Sequence, residues 1–204
     1  MNARLTITVV ALAAAALAAF PDTAFAHVFG GGGGPAAGFM HPLTGLDHLL
    51  AMYAVGLLSA QTGGRAIWTV PGAFVGVMLV GWSLAAGGAP LPGAEIGVAT
   101  SVVVLGASVA AGGRVPAWSG LAAAGFFGLF HGAVHGAEMP LTPSPALYAL
   151  GFATSTIGLH VLGALTGLLV LCRREGRARL HSAGAVISMC GVYFVATALQ
   201  HQPH

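Results

Sequence analysis

Hydrophobic residues in this chain come in long unbroken runs, without the three-to-four spacing of a helix that buries one face in a soluble core. Six stretches are apolar and long enough to cross about 30 Å of hydrocarbon: residues 39 to 60, 66 to 86, 94 to 111, 117 to 137, 146 to 172 and 180 to 200. Short segments rich in Gly and Pro, such as Gly87 to Pro92 and Pro140 to Pro145, separate several of them and read as turns. The expected fold class is therefore all-α, a polytopic membrane helical bundle of six transmembrane helices. Ahead of it, Met1 to Ala26 carry Arg4, an apolar run from Leu5 to Phe20, Pro21 and a small-x-small ending at Ala24-Phe25-Ala26. Those are the three regions of a cleaved signal peptide, and the shortness of the run argues against the alternative of a retained first helix. The expected organisation is a signal peptide over 1–26, a flexible Gly-rich periplasmic segment over 27–38 and a transmembrane domain over 39–204.

Composition agrees with this pattern. Charged residues make up 6% of the chain and hydrophobic ones 56%, with a mean hydropathy of +0.87, too little charge to cover a water-soluble fold. Net charge is only +2, and the arginines are scattered apart from one cluster, so a nucleic-acid partner is not expected. Arginine placement also gives orientation. With the mature amino end outside, the inward loops hold Arg65, Arg114 and then Arg173, Arg174, Arg177 and Arg179, while the outward loops hold no Lys or Arg. That implies a multi-pass protein of the bacterial inner membrane with both mature termini in the periplasm. Cys172 and Cys190 fall at different depths of the last two runs and read as unpaired, buried, small apolar side chains. Gly128, Gly132 and Gly136 recur every fourth residue, a stripe along which another helix can approach closely.

The chemistry is carried by ionisable residues where a membrane helix should avoid them, since a charged side chain at mid-bilayer costs on the order of 2.5 to 3.5 kcal/mol. The first run contains His41-Pro42, then Asp47-His48 and Met52; the fourth contains His131, His135, Glu138 and Met139. At about 100° per residue, His131, His135 and Glu138 fall on one narrow stripe. His41 and His48, seven apart, share a face of a continuous helix, with Met52 one turn further on. Asp47 points about 100° away from His48 and is expected to orient a histidine on a neighbouring helix. Pro42 reads as a helix-starting proline. Two imidazoles beside a carboxylate suit a first-row metal ion. Both groups are expected in the outer half of the bilayer. A lone histidine on an apolar helix is more often packing than ligand, but four histidines and two carboxylates in two windows are not explained that way. His27, leading the mature chain, and His160, alone in the fifth run, are secondary metal candidates together with Met52 and Met139; His27 reads equally as an incidental residue on a tether. Gly-Leu-x-His occurs at both Gly45 to His48 and Gly128 to His131. With three spans per half, this points thinly to two inverted three-helix repeats.

These windows resemble the signatures of the hydrogenase- and urease-accessory nickel permease family, HupE/UreJ. His41, Asp47 and His48 match its H-x5-D-H pattern. Phe130, His131, Gly132, Val134, His135, Gly136 and Glu138 match its F-H-G-x-[AV]-H-G-x-E pattern. The resemblance implies a permease, not an enzyme, that takes up Ni2+ as transported ion through His41, Asp47, His48, His131, His135 and Glu138, in a six-span bundle with no organic cofactor. In that scheme His131, His135 and Glu138 with His41 catch the ion at the outer mouth and hand it past His48 and Asp47. Neutral imidazole is the ligand form, so entry should weaken as pH falls through the histidine range. Alternatives within the class are cobalt, zinc or copper, the last favoured if Met40, Met52 and Met139 face the path. From other classes, an intramembrane metalloenzyme or a haem-binding subunit would also use such histidines, although the zinc-protease H-E-x-x-H order is not present. The sequence leaves open a homo-oligomer, passive or proton-coupled flux, and hydrogenase or urease as the enzyme served.

Overall fold

The structure, a computed structural model, describes residues 34–112 and 116–200; the expected signal peptide and His27 lie outside these. Among the described residues the chain is all helical, with seven helices: α1 (Pro35–Thr44), α2 (Leu46–Thr62), α3 (Ala66–Ala86), α4 (Ala94–Ala111), α5 (Ala117–Ala137), α6 (Pro145–Leu171) and α7 (Gly176–Gln200). By length and composition, α3, α4, α6 and α7 can each cross a membrane, and α1 with α2 passes the same test as a pair. At 21 residues α5 is as long as α3, but its glycines and histidines leave it less apolar.

The first run is not one continuous helix. It breaks at Gly45, where α1 and α2 meet at 83°. Pro42 sits in the last turn of α1, not at a helix start, and Pro35 occupies the first turn instead. Proline in a helix interior removes a backbone donor and weakens the turn around it. Gly45 itself is extended, with φ −81° and ψ 111°, and caps both helices. Its lack of a side chain matters for space: a Cβ there would lie 3.2 Å from both the Asp47 carboxylate and the His48 ring.

Backbones approach closely wherever glycine lines a helix face. The stripe Gly128, Gly132, Gly136 of α5 lies on the carbonyls of Phe74, Met78 and Trp82 of α3, and a methyl at any of the three would overlap them. Gly56 of α2 and Gly163 of α6 meet in the same way, as do Gly106 of α4 and Gly184 of α7. Without a hydrophobic driving force between helices in lipid, such close packing is what holds a bundle together. The interior is filled by Met52, Val55, Phe74, Met78, Leu105 and Phe152. Apolar residues also face outward: Leu150, Leu162, Leu165 and Leu169 of α6 and Val80 and Leu84 of α3 are exposed, as lipid-facing side chains must be. Cys172 and Cys190 are both free, and the expectation that both are buried fails: Cys172, at the carboxyl end of α6, is exposed, and Cys190 is half-buried. A cysteine needs no burial where lipid, not water, is outside.

Replacing Gly132 with Val should part α3 from α5, because the new side chain must enter space filled by the Met78 carbonyl. Overpacking of this kind costs about 1 to 3 kcal/mol. We expect a Tm several degrees lower in detergent, read by the loss of helical circular dichroism on heating, with Gly72→Ala, where the structure leaves open space, as the neutral control.

Candidate metal centre

The bend at Gly45 turns α1 across one end of the bundle, so histidines on three helices converge. His41 of α1, His48 of α2 and His135 of α5 each offer a ring nitrogen, and the three nitrogens lie within 4.8 Å of one another. Ring centroids are 4.7 Å apart for His41 and His135 and 4.9 Å for His48 and His135. His131, one turn further into α5, stands 4.8 Å from His48. All four motif histidines thus form one cluster. An open cavity of about 510 Å³ reaches it, lined by His41, Thr44, Asp47, His48, Glu95 and Glu138 among others.

Three of these imidazoles are anchored through one nitrogen. Asp47 Oδ1 accepts from the His48 ring at Nδ1 (2.8 Å) and from the His48 backbone N–H (2.7 Å). With Nδ1 donating, the lone pair is on Nε2, which is buried and has no hydrogen-bond partner. His41 Nε2 lies 3.3 Å from Glu138 Oε2. Glu138 caps α5, and the hydrogen bond from His41 holds its carboxyl below the usual carboxylate range, against the opposing effect of partial burial.

For His131 the anchor is Ser101 of α4. Ser101 Oγ lies 2.6 Å from the Val98 carbonyl and 2.9 Å from His131 Nε2. A carbonyl and a hydroxyl oxygen come that close only with a proton between them, so the serine donates to Val98 and accepts from His131. That assigns the proton to Nε2 and leaves Nδ1, buried and unpartnered, with its lone pair free. His135 is held differently: its ring stacks on Phe152 at 4.5 Å and 9°, and neither nitrogen has a partner. A buried polar group without a partner costs about 1 to 3 kcal/mol. Lone pairs kept waiting in this way fit a group that arrives to be bound, and second-nitrogen anchors of this type orient imidazoles in metal sites.

Two expectations are corrected. Asp47 orients the adjacent His48 instead of a histidine on a neighbouring helix. The 100° rule applies inside a helix, whereas Asp47 is in the first turn of α2, where the free amide of His48 draws the carboxylate back over the helix end. His41 and His48 do not share a face of one helix either; they meet at 5.7 Å because the chain bends between them. His160 of α6 is buried, 5.1 Å from the Phe74 ring, and Met52 Sδ accepts from Thr156, so both lie beneath the cluster. Met139 packs at the edge of the apolar core. Ser101 and Glu95 were not singled out in the sequence. Glu95 left a signal, an acid in the first turn of an apolar run, whereas a serine in such a run left none.

The residues of the HupE / UreJ protein family model match 14–194 of this chain. The chain belongs to that family. It is also similar to the protein HupE of Rhizobium leguminosarum bv. viciae, with 40% identity over 189 residues, 92% of this chain and 95% of that relative. No solved structure matches it. Both motif windows lie within the matched region of this HupE/UreJ member.

Removing an outer anchor should weaken metal binding about 10- to 100-fold while sparing the fold. Asp47→Asn and Ser101→Ala, titrated with Co2+ in detergent, are expected to show this loss and an altered visible absorption band, whereas Ser101→Thr, which keeps the hydroxyl, restores both.

Proposed function

We propose that the chain is a permease that carries nickel, or a similar divalent first-row cation, across the inner membrane for hydrogenase or urease maturation. One observation carries this reading: histidines from both halves of the chain, three of them with buried and unpartnered nitrogens, cluster beside an open cavity that His41 and His48 line. A storage or structural site closes four ligands around its ion, but a site that must also release it works with incomplete sets. The geometry favours entry past Glu138 and His41, capture between His41, His48 and His135, and transfer to His131, whose ring lies against His48. Cobalt, zinc or copper would be held by the same donors, and the family resemblance favours nickel.

In this reading α5 also crosses the membrane, as the fourth of six spans, and the bent pair α1 and α2 is the first. The turn bearing Arg173 and Arg174 follows the end of α6 remote from Glu138, so the positive-inside rule puts the arginines in the cytoplasm and the cavity in the periplasm. An inverted repeat exchanges the first span with the fourth and the second with the fifth. That exchange turns the glycine-lined pairing of α3 with α5 into the glycine-lined pairing of α6 with α1 and α2, which supports two related halves.

The test is uptake of labelled nickel in cells lacking other nickel transporters. Wild type should accumulate the ion, and the His41→Ala, His135→Ala double variant, present in the membrane at equal amount, should fall to background. Undiminished uptake by that variant would remove the proposal.

A further inference from the structure

Beneath the histidine cluster the bundle brings together a second set of potential ligands that neither motif contains in full. Met52 of α2, one turn beyond His48, and Met78 of α3 are both fully buried. Their sulfurs converge on one hydroxyl: Thr156 Oγ1 of α6 lies 3.3 Å from Met52 Sδ and 3.9 Å from Met78 Sδ. One turn further along α6 comes His160, buried against Phe74, which is itself one turn from Met78. Resting on the permeation reading above, we infer that Met52, Met78 and His160 form an inner cation station that takes a soft or borderline transition-metal cation through two thioether sulfurs and one imidazole nitrogen.

Buried methionines are ordinary core fillers, so their presence alone decides nothing. Two features of this group do not fit plain packing. First, Thr44, Thr62, Thr154, Thr166 and Thr197 each donate to a backbone carbonyl three or four residues back, the usual habit of a helical threonine. Thr156 donates to sulfur instead. Second, both ring nitrogens of His160 are buried without a partner. An imidazole at such a place gives up the hydrogen bonds that water would make, and the ring beside it, Phe74, is apolar. A cation arriving between the sulfurs supplies what both groups lack. The Thr156 hydroxyl then turns to the Phe152 carbonyl, four residues back, which it shares with the Ser155 hydroxyl, and the sulfur lone pairs are released.

The position gives the station its use. His131 and His160 both lie against the Phe74 ring, each at 5.1 Å, so this group is the next set of ligands beside the cluster. Thioethers are neutral, weak and soft: they pass over Mg2+ and Ca2+, which require oxygen, and hold a transition-metal ion loosely enough to let it go. A path of carboxylate and imidazole at the mouth, then thioether and imidazole inside, discriminates twice.

The test uses the full chain, purified in detergent, with Ag+ as a soft, redox-inert probe. In a His41→Ala, His135→Ala background that also carries Cys172→Ala and Cys190→Ala, so that neither the outer cluster nor a free thiol competes, one Ag+ should still bind, and X-ray absorption should show sulfur neighbours. Adding Met52→Leu and Met78→Leu, which nearly conserve volume, should weaken that binding by at least about tenfold, the loss even an outer-shell change inflicts on a metal site. Should the paired change prevent folding, Met52→Leu alone is expected to weaken it in the same direction. In an otherwise native chain the same leucines should lower nickel uptake. Ag+ bound only by nitrogen and oxygen, or bound equally after the leucine changes, would overturn the inner station while leaving permeation intact. Full uptake by the His41→Ala, His135→Ala chain would instead overturn the permeation reading itself.

Discussion

The arrangement depends on holding four imidazoles close together in the bundle, three of them with one nitrogen tied. Burial makes each free nitrogen expensive, and the chain could escape that expense by letting a ring rotate toward a carbonyl or toward water. The anchors prevent it at three of the four motif histidines: Asp47 for His48, Glu138 for His41 and Ser101 for His131. Phe152 prevents it at the fourth by stacking. A metal site needs this second layer as much as its ligands, because a lone pair a few tenths of an ångström out of place is a weaker donor.

The anchors work only if the helices cannot slide. Glycine does that work here through closeness: α5 lies so near α3 that its stripe rests on the carbonyls of Phe74, Met78 and Trp82. The same stripe lies on the helix that carries His131 and His135, so this close packing fixes two of the clustered histidines. Phe74 joins both roles, with its backbone against Gly128 and its ring against both His131 and His160.

Much of the architecture was legible from hydropathy, since α3, α4 and α5 occupy the ranges that their apolar runs mark, and the polar residues stood out because such runs should contain none. What could not be read was anything that depends on direction within a turn. The helical wheel places Asp47 far from His48, but the wheel does not apply at a helix end, and Gly45 makes one there. Pro42 read as a helix start, but it stands three residues before the break at Gly45, and only the folded chain gives the angle. Ser101 was hidden for a different reason: it is one small hydroxyl in an apolar helix, and its meaning comes entirely from His131, thirty residues away in sequence.

A helix that stops inside a protein has a polar end where a continuous one would have none. The break at Gly45 puts the amino end of α2, with its unspent amide hydrogens, on the wall of the same opening that Glu138 and His41 border. Such an end carries about half a positive charge. Left alone it would make the entrance attractive to anions and repel the very ions that imidazoles bind. Asp47, in the first turn, supplies the opposing charge at the spot where the field is strongest, so one carboxylate sets both the proton on His48 and the sign of the doorway.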